Sequence, residues 1–546
     1  MTMYALLQFV PLAAVVLLAG WIASLVPERR FAWLCKLPDS RLAPGVAGVV
    51  MMAVVWYLWG SLQQIPVVHD EASYLLQAET FARGRWAMPR PPIPAFFEQF
   101  HVLVTPTYAS KYWPGHGIFL VPGIWLGVPG LVPLLLCGAA AALLFALVRK
   151  VTNGWVAVLT LVLWIPLRAN LLFRPSYFSE NTTSALWLLG WLALLRWRES
   201  SRERWLVLVA GCAAWMAITR PLTALAFGIP IGVVVIRDVA RERNWRSLIR
   251  PSLLTLAILA LIPIWSAKTT GSWRATPYSQ YSKSYFPFDR MGFGADTSPP
   301  DHALPPDMVH LAEAFTPEHA AYGVRSLPQA FYDRWQVMFD DAYHGPRKGL
   351  ALFALVALVV LPAAGWFAVV SSLLVTLAYL VYAHPAGWDL YYLEIMPLLP
   401  FLTACGIWAV WLSLGAWRQT ARGAMLRTTL PRTALAGLLL FAFLALPARA
   451  DIRRMHTEQI VRRGYQSQFA AGVARLPERK TIVFIRYLPL HNFNLSLIAN
   501  QADLPNARAW LVYDRGDENQ ALMKLAPDRV PYLYDDSTST FRRLDR

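Results

Sequence analysis

Apolar stretches long enough to cross a bilayer recur through most of the chain and constrain its fold more than any other feature. Of the 546 residues, 56% are apolar and only 15% are charged, which is far less charge than a soluble domain of this size carries. A helix needs about 20 apolar residues to cross the hydrocarbon core, and by that measure the sequence predicts about twelve crossings. They lie near 4–26, 43–65, 129–148, 154–173, 180–195, 205–219, 221–236, 251–267, 349–362, 364–383, 393–414 and 433–449. The sequence therefore predicts a polytopic α-helical membrane protein.

Basic residues are concentrated in short segments between these stretches, as in 196–204 and 237–250. Such a distribution is typical of cytoplasmic loops. The net charge of +17 therefore indicates membrane topology and contact with anionic lipids, and no nucleic-acid partner. Alternation across the bilayer then places both termini and the segments 66–128 and 268–348 outside. The preference for arginine over lysine favours a GC-rich bacterial genome, so the expected location is the bacterial inner membrane.

The sequence divides into three parts. Residues 1–42 hold an extra N-terminal helix and a cytoplasmic loop, and residues 43–449 hold the main transmembrane domain. The remaining residues, 450–546, are expected to lie outside the membrane. They contain helical patterns at 460–476 and 519–525 and strand patterns at 481–485, 509–513 and 530–534. This mixture predicts a small extracytoplasmic α/β domain.

An acidic pair, Asp70 and Glu71, follows directly on the second apolar stretch. Adjacent carboxylates near lipid lose solvation and repel each other, so we expect each to raise the pKa of the other. Residues 72–79 predict a short amphipathic helix with Tyr74 near its apolar face. The pattern indicates a base or a ligand held at the membrane surface, facing a lipid-borne substrate.

Five motifs in this order resemble the GT-C glycosyltransferases, in particular the family 39-type protein mannosyltransferases and the lipid A aminoarabinose transferases. They are Asp-Glu-Ala at 70–72, Tyr-Trp-Pro-Gly-His at 112–116, a helix-opening Glu180, Thr-Arg-Pro at 219–221, and Tyr-Tyr-Leu-Glu-Ile-Met-Pro at 391–397. The resemblance covers roughly residues 43–415. It implies a GT-C-like transmembrane domain and an inverting enzyme that moves a sugar from a polyprenyl phosphate at the outer face.

The resemblance implies that Asp70 is a general base, or orients the acceptor hydroxyl, because a neutral hydroxyl must lose a proton as it attacks the anomeric carbon. Glu71 and Glu180 are the other catalytic candidates. Glu71 has an alternative role as a partner that tunes Asp70. Glu180 has an alternative role as an acid that complements the helix dipole, and the family often has aspartate there.

The leaving lipid phosphate needs donors for its developing charge. The candidates are Arg220, Arg174, Lys111, Lys268 and His116. Arg220 is the strongest, because it lies between two apolar stretches where an unpaired charge is costly, although snorkelling to lipid head groups is the alternative. The residues expected to line the substrate site are His69, Tyr74, Tyr112, His384, Trp388, Tyr391 and Tyr392.

Nothing in the spacing of the four cysteines or of the histidines requires a metal, and His69 is expected to be a hydrogen-bonding neighbour. Some GT-C enzymes use a divalent cation, so the resemblance leaves Mg²⁺ or Mn²⁺ near Asp70 and Glu71 open. The expected acceptor is an envelope glycolipid, polysaccharide or protein. The alternative function is a transporter or flippase of a lipid-linked solute, which the break at 220–221 favours. Nearly charge-free spans and the lack of an evident internal repeat oppose it.

Overall fold

The computed structural model describes residues 3–414, 425–488 and 491–545, and it is mostly helical. The α-helices are α1 (Met3–Ser24), α2 (Ala43–Trp59), α3 (His69–Ala82), α4 (Pro114–Trp125), α5 (Leu131–Val151), α6 (Gly154–Trp164), α7 (Arg168–Phe173), α8 (Glu180–Ser200), α9 (Glu203–Ala217), α10 (Pro221–Glu242), α11 (Ile249–Leu259), α12 (Leu261–Thr270), α13 (Pro277–Tyr285), α14 (Pro306–Ala321), α15 (Leu327–Ala342), α16 (Ala351–Val360), α17 (Trp366–Tyr379), α18 (Leu398–Leu414), α19 (Pro431–Arg475) and α20 (Asn519–Leu525). The strands are β1 (Val102–Leu103), β2 (Ala109–Ser110), β3 (Thr481–Arg486), β4 (Ala509–Tyr513), β5 (Val530–Asp535) and β6 (Thr540–Arg543).

Four helical segments of the described chain are long and apolar enough to cross a membrane. They are α5, α10, α19 and the combined segment Trp245–Thr270. The 3₁₀ segment Glu28–Asp39 and α2 together also qualify, but they meet at a bend of 70°. The chain is thus a helical protein with strongly apolar candidate spans, and the number of about twelve crossings stays a prediction.

The helices of the bundle pack in series, with α2 on α5, α5 on α8, α8 on α9, and α10 against both α9 and α17. Small residues allow the closest approach. A Cβ atom added at Gly48 of α2 would lie 2.9 Å from the carbonyl oxygen of Gly138 in α5, so the two backbones are nearly in contact at this point. On the other side of the bundle, α19 packs on α1, α2 and α6.

The C-terminal region contains a four-stranded sheet of order β4-β3-β5-β6, in which β3 is parallel to β4 and β5. The three strands predicted from the sequence are present, and α20 has the predicted bounds. The antiparallel edge strand β6 was not predicted.

The helix α19 is a single element of 45 residues, although the sequence suggested one helix at 433–449 and another at 460–476. Beyond the apolar part, its polar side chains bind exposed backbone carbonyls. Arg463 Nη1 donates to the carbonyl oxygens of Leu58 and Trp59 at 3.0 and 2.9 Å, and Gln466 Nε2 donates to Val67 O at 3.0 Å. These carbonyls end α2 or follow it, and in a helix the last carbonyls have no partner of their own. The α19 helix therefore fixes the loop that leads to Asp70.

The start of α14 is buried against the C-terminal region. Asp307 Oδ2 lies 3.9 Å from His491 Nε2, and His491 Nδ1 lies 3.6 Å from Asp536 Oδ2. Burial, with the Asp536 carboxylate as a further cause, raises the pKa of Asp307 to about 8.

This raised pKa predicts a loss of stability with rising pH. The folded protein holds the proton of Asp307 up to about pH 8, whereas an ordinary aspartate releases it near 3.8. The contribution of protonated Asp307 to the free energy of unfolding is therefore complete below pH 3.8, and it is lost as the pH rises through 8. We expect the unfolding temperature of the detergent-solubilised protein to fall between pH 5 and 8.5, and to fall less in Asp307→Asn. The exposed Asp301 of the same segment gives the control Asp301→Asn. Equal pH dependence in both variants would contradict the prediction.

Candidate active site

The two carboxylates of the acidic pair point in different directions. Both stand in the first turn of α3. Glu71 is buried, and its oxygens accept the backbone N–H groups of Val67, Val68 and Tyr177 at 3.0–3.3 Å. Asp70 is the accessible member, with a side chain that is 28% exposed. Glu71 therefore holds the loop between α2 and α3, while a catalytic role for it stays a prediction, and Asp70 has the more accessible carboxylate.

The surroundings of Asp70 differ from the sequence expectation. Tyr112 Oη donates to Asp70 Oδ1, and Asp70 Oδ2 lies 3.0 Å from His69 Nδ1 and 3.6 Å from His101 Nε2. Burial acts to raise the pKa of Asp70, but the two imidazoles outweigh it and hold the pKa well below its usual range. The expectation that Glu71 would raise this pKa was wrong, because the Glu71 carboxylate turns away toward backbone N–H groups.

No sequence pattern points to His101, a buried residue whose positive φ of 63° is uncommon outside glycine. The strained backbone is held on both sides. His101 N donates to Tyr281 Oη at 2.8 Å, while its carbonyl oxygen accepts from Ser73 Oγ and Lys111 N, both at 2.8 Å. These three hydrogen bonds hold the backbone of His101 in the conformation in which its imidazole faces Asp70.

The site holds three side chains that could ligate a metal. One ligand atom from each of His69, Asp70 and His101 lies within 4.8 Å of the others. The remaining ring nitrogens, His69 Nε2 and His101 Nδ1, are buried and have no hydrogen-bond partner in the described part of the chain. Two imidazoles and one carboxylate fit Zn²⁺ or Mn²⁺ better than Mg²⁺, which prefers oxygen ligands.

A chain of contacts connects Asp70 with Glu180. The Tyr112 ring stacks on Tyr74, with 4.4 Å between the centroids. Tyr74 Oη donates to Ser179 Oγ at 3.0 Å, and Ser179 Oγ donates to Glu180 Oε2 at 3.1 Å. The amphipathic helix α3 thus brings its predicted aromatic residue between the two predicted acids.

Arg220, in the break between α9 and α10, is held by two acids. Its guanidinium donates to Glu180 Oε1 and lies 3.8 Å from Glu394 Oε1. Arg220 Nη2 also donates to Tyr379 Oη at 2.7 Å. The side chain of Arg220 is only 9% exposed and those of the two glutamates at most 1%, so the group is a buried ion cluster with one more carboxylate than cations. The sequence motif contained Glu394, but no role was predicted for it.

Two of the other predicted phosphate-binding residues, Arg174 and His116, already make hydrogen bonds to groups of the protein. The guanidinium of Arg174 binds the side-chain oxygens of Asn170 and Asn181 and the carbonyl oxygen of Leu393 at 3.2–3.3 Å. The ring nitrogens of His116 lie 2.8 Å from Thr182 Oγ1 and from the carbonyl oxygen of Tyr177. Both side chains are buried, and their contacts join loops and helices.

Lys111 and Lys268 are placed differently. Lys111 is buried, and its ammonium lies 3.4 Å from Asp289 Oδ2. The rings of Tyr278 and Tyr281 surround it, with centroids at 4.7 and 4.9 Å, so it is stabilised by cation–π contacts. Lys268 lies exposed in the last turn of α12. A phosphate role for these four cationic residues stays a prediction, and so does that of Arg220.

Aromatic side chains fill the space around Arg220 and Lys111. The Tyr391 ring lies 5.3 Å from Arg220 Cζ and 4.8 Å from the His384 ring. His384 Nε2 lies 3.1 Å from Tyr392 Oη, and Trp388 packs on Phe315 of α14 at 5.3 Å. Of the predicted lining residues, His69, Tyr74 and Tyr112 therefore surround Asp70, and His384, Tyr391 and Tyr392 form a second group on the Arg220 side.

The ion cluster around Arg220 predicts a non-additive effect on stability. Arg220→Met leaves two buried carboxylates without their cation, which costs about 3 kcal/mol or more. The double variant Arg220→Met/Glu180→Gln removes one of those charges, so we expect it to unfold at a higher temperature than Arg220→Met alone. The half-exposed Arg198, paired with Asp238, gives the control Arg198→Met, for which little change is expected. A double variant that is less stable than Arg220→Met would contradict the cluster.

No protein-family model matches the chain, and no curated protein sequence matches it. Solved structures similar to it include ArnT from Cupriavidus metallidurans bound to undecaprenyl phosphate, with a TM-score of 0.47, 13% identity and coverage of 91% of both chains. The apo state of ArnT gives a TM-score of 0.46 with 14% identity, covering 91% of this chain and 89% of that one. The oligosaccharyltransferase of Archaeoglobus fulgidus gives 0.40 with 12% identity, covering 88% of this chain and 65% of the other. Both enzymes are members of the GT-C superfamily, which the sequence motifs resemble.

Proposed function

We propose that this chain is an inverting glycosyltransferase that moves a sugar from a polyprenyl-phosphate donor to an acceptor hydroxyl. The observation that carries the proposal is the partly exposed carboxylate of Asp70, held by Tyr112 and two imidazoles. The contact chain through Tyr74 connects it to the ion cluster of Arg220. A base and a cation on one connected framework are the two groups that this reaction needs.

In this mechanism Asp70 takes the proton of the acceptor hydroxyl as the oxygen forms a bond to the anomeric carbon. The bond from that carbon to the lipid phosphate oxygen breaks in the same step, and polyprenyl phosphate leaves with the electron pair. A single displacement inverts the anomeric centre. Asp70 has its pKa lowered, so it is ionised and ready to accept a proton at neutral pH, although a low pKa makes it a weaker base.

The donor phosphate is assigned to Arg220 and Lys111. Each of them already has an acidic partner, Glu180 for Arg220 and Asp289 for Lys111. An incoming phosphate would therefore bind a cation that is already in an ion pair. The surrounding tyrosines, Tyr278, Tyr281 and Tyr391, offer aromatic faces against which the C–H groups of a sugar can stack. Glu180 positions Arg220 in this scheme.

The proposed acceptor is a hydroxyl of an envelope glycolipid, polysaccharide or protein, and the proposed place of reaction is the extracytoplasmic face of a bacterial inner membrane. The positions of the basic segments support this orientation, as does the attachment of the C-terminal region to the loop that precedes Asp70. The alternative, a transporter or flippase of a lipid-linked solute, keeps one supporting feature, which is the buried charge of Arg220 at a helix break.

The test compares wild type with Asp70→Asn in membranes supplied with labelled polyprenyl-phosphate sugars and an envelope extract. We expect transfer by wild type and a loss of about 100-fold or more in the variant, as for removal of a general base. Asp340, exposed in α15, gives the control Asp340→Asn, for which full activity is expected. Transfer that survives in Asp70→Asn at equal protein level would remove Asp70 from the mechanism. Flux of the lipid-linked sugar without transfer would favour the transporter.

The cluster of His69, Asp70 and His101 predicts metal binding by the purified protein. Bound there, a divalent cation would supply a Lewis acid beside the acceptor site. We expect one equivalent of Mn²⁺ or Zn²⁺ to bind, and His101→Ala to weaken binding at least tenfold, as measured by titration with the metal alone. His302 of the outer segment, paired with Glu98, gives the control His302→Ala. Equal metal binding by wild type and His101→Ala would exclude this site.

A further inference from the structure

A long apolar groove runs along the bundle. It lies between α2, α6 and α19 and has a volume of about 860 Å³, within the range of sites that hold small organic ligands. The α2 side presents Val46, Val50 and Val54, which are spaced four residues apart and so line one helix face. Val46 and Val50 are 59% and 46% exposed, so the groove opens outward from the bundle.

The length of the groove fits a lipid chain. Its lining on α2 extends to Tyr57 from Leu42, just before the helix, and its lining on α19 extends from Leu438 to Arg453. At 1.5 Å per residue each side is about 22 Å long, which is most of the thickness of the hydrocarbon core, about 30 Å.

Among the described residues, the lining has two charged side chains, both arginines, and both stand at one end. Arg449 and Arg453 are one helical turn apart on α19 and exposed. Neither has an acidic side chain within ion-pair distance in the described part of the chain. The nearby Asp451 is already bound by Arg347 at 2.6 Å and by Arg454 at 3.0 Å. Two unpaired guanidinium groups at the end of an apolar channel are complementary to a phosphate with acyl chains.

We propose that this groove binds an anionic glycerophospholipid, with its phosphate on Arg449 and Arg453 and an acyl chain along α2 and α6. The site is separate from the proposed donor site, because neither Arg220 nor Lys111 belongs to the lining of the groove. Arg449 and Arg453 lie at the end of the groove that is nearer to Arg463 along α19. Arg463 is the residue that binds the carbonyls of Leu58 and Trp59, in the segment that leads to Asp70. The proposal does not depend on the reaction that the chain catalyses.

The test measures binding of phosphatidylglycerol and phosphatidylcholine to the delipidated full-length protein in detergent, by native mass spectrometry without any sugar donor. We expect phosphatidylglycerol to bind about 10- to 30-fold more tightly, since each arginine contributes to the attraction of an anionic head group. The double variant Arg449→Gln/Arg453→Gln should lose that preference. The variant Val50→Trp, which narrows the apolar part and keeps the charge, should weaken binding of both lipids.

The control Arg475→Gln/Arg479→Gln removes the same charge from exposed residues outside the groove and should leave the preference unchanged. Equal affinity of wild type for the two lipids would overturn the proposal, as would a preference that survives in the groove double variant. Displacement of phosphatidylglycerol by undecaprenyl phosphate at equal concentration would also overturn it, because the groove would then belong to the donor.

Discussion

The burial of Arg220 is the constraint on which the arrangement of the candidate site depends. A guanidinium inside an apolar bundle must be paired, and its partners come from separate parts of the chain: Glu180 opens α8, Tyr379 ends α17 and Glu394 precedes α18. Satisfying one cation therefore fixes the relative positions of three helices. Through Ser179 and Tyr74 the same requirement extends to α3 and to Asp70.

The adjacent acids Asp70 and Glu71 illustrate how neighbours in sequence can have opposite tasks. In the first turn of a helix, consecutive side chains point about 100° apart, so one can face backbone N–H groups while the other faces a cavity. The Glu71 carboxylate accepts hydrogen bonds from three backbone N–H groups that would otherwise lack a partner. Asp70 meets two imidazoles and a phenol. The stability of the loop and the reactivity of the carboxylate are therefore controlled by different residues.

Sequence patterns were sufficient for features that depend on local periodicity. The apolar runs, the helical pattern at 72–79 within α3 and the strands β3, β4 and β5 follow from such patterns. The edge strand β6 did not, because Thr540–Arg543 has a single apolar side chain and no alternation. Site residues that only the tertiary fold brings to Asp70 and Lys111 could not be predicted from sequence patterns. Examples are His101 and Asp289, which lie in aromatic loops without a motif. The pKa of Asp70 was predicted in the wrong direction, since the orientation of a neighbouring side chain cannot be read from its position in the sequence.

The continuity of α19 has a mechanical consequence. A helix of 45 residues is about 67 Å long, and only the short link 476–480 separates its end from β3 of the four-stranded sheet. The sheet is therefore attached to the apolar bundle through a helix and a short link, which restricts its distance from the bundle. A tilt of that helix, caused by a ligand on the sheet or by a change in bilayer thickness, would pull on the carbonyls that Arg463 and Gln466 hold. Such a tilt would displace the loop next to Asp70.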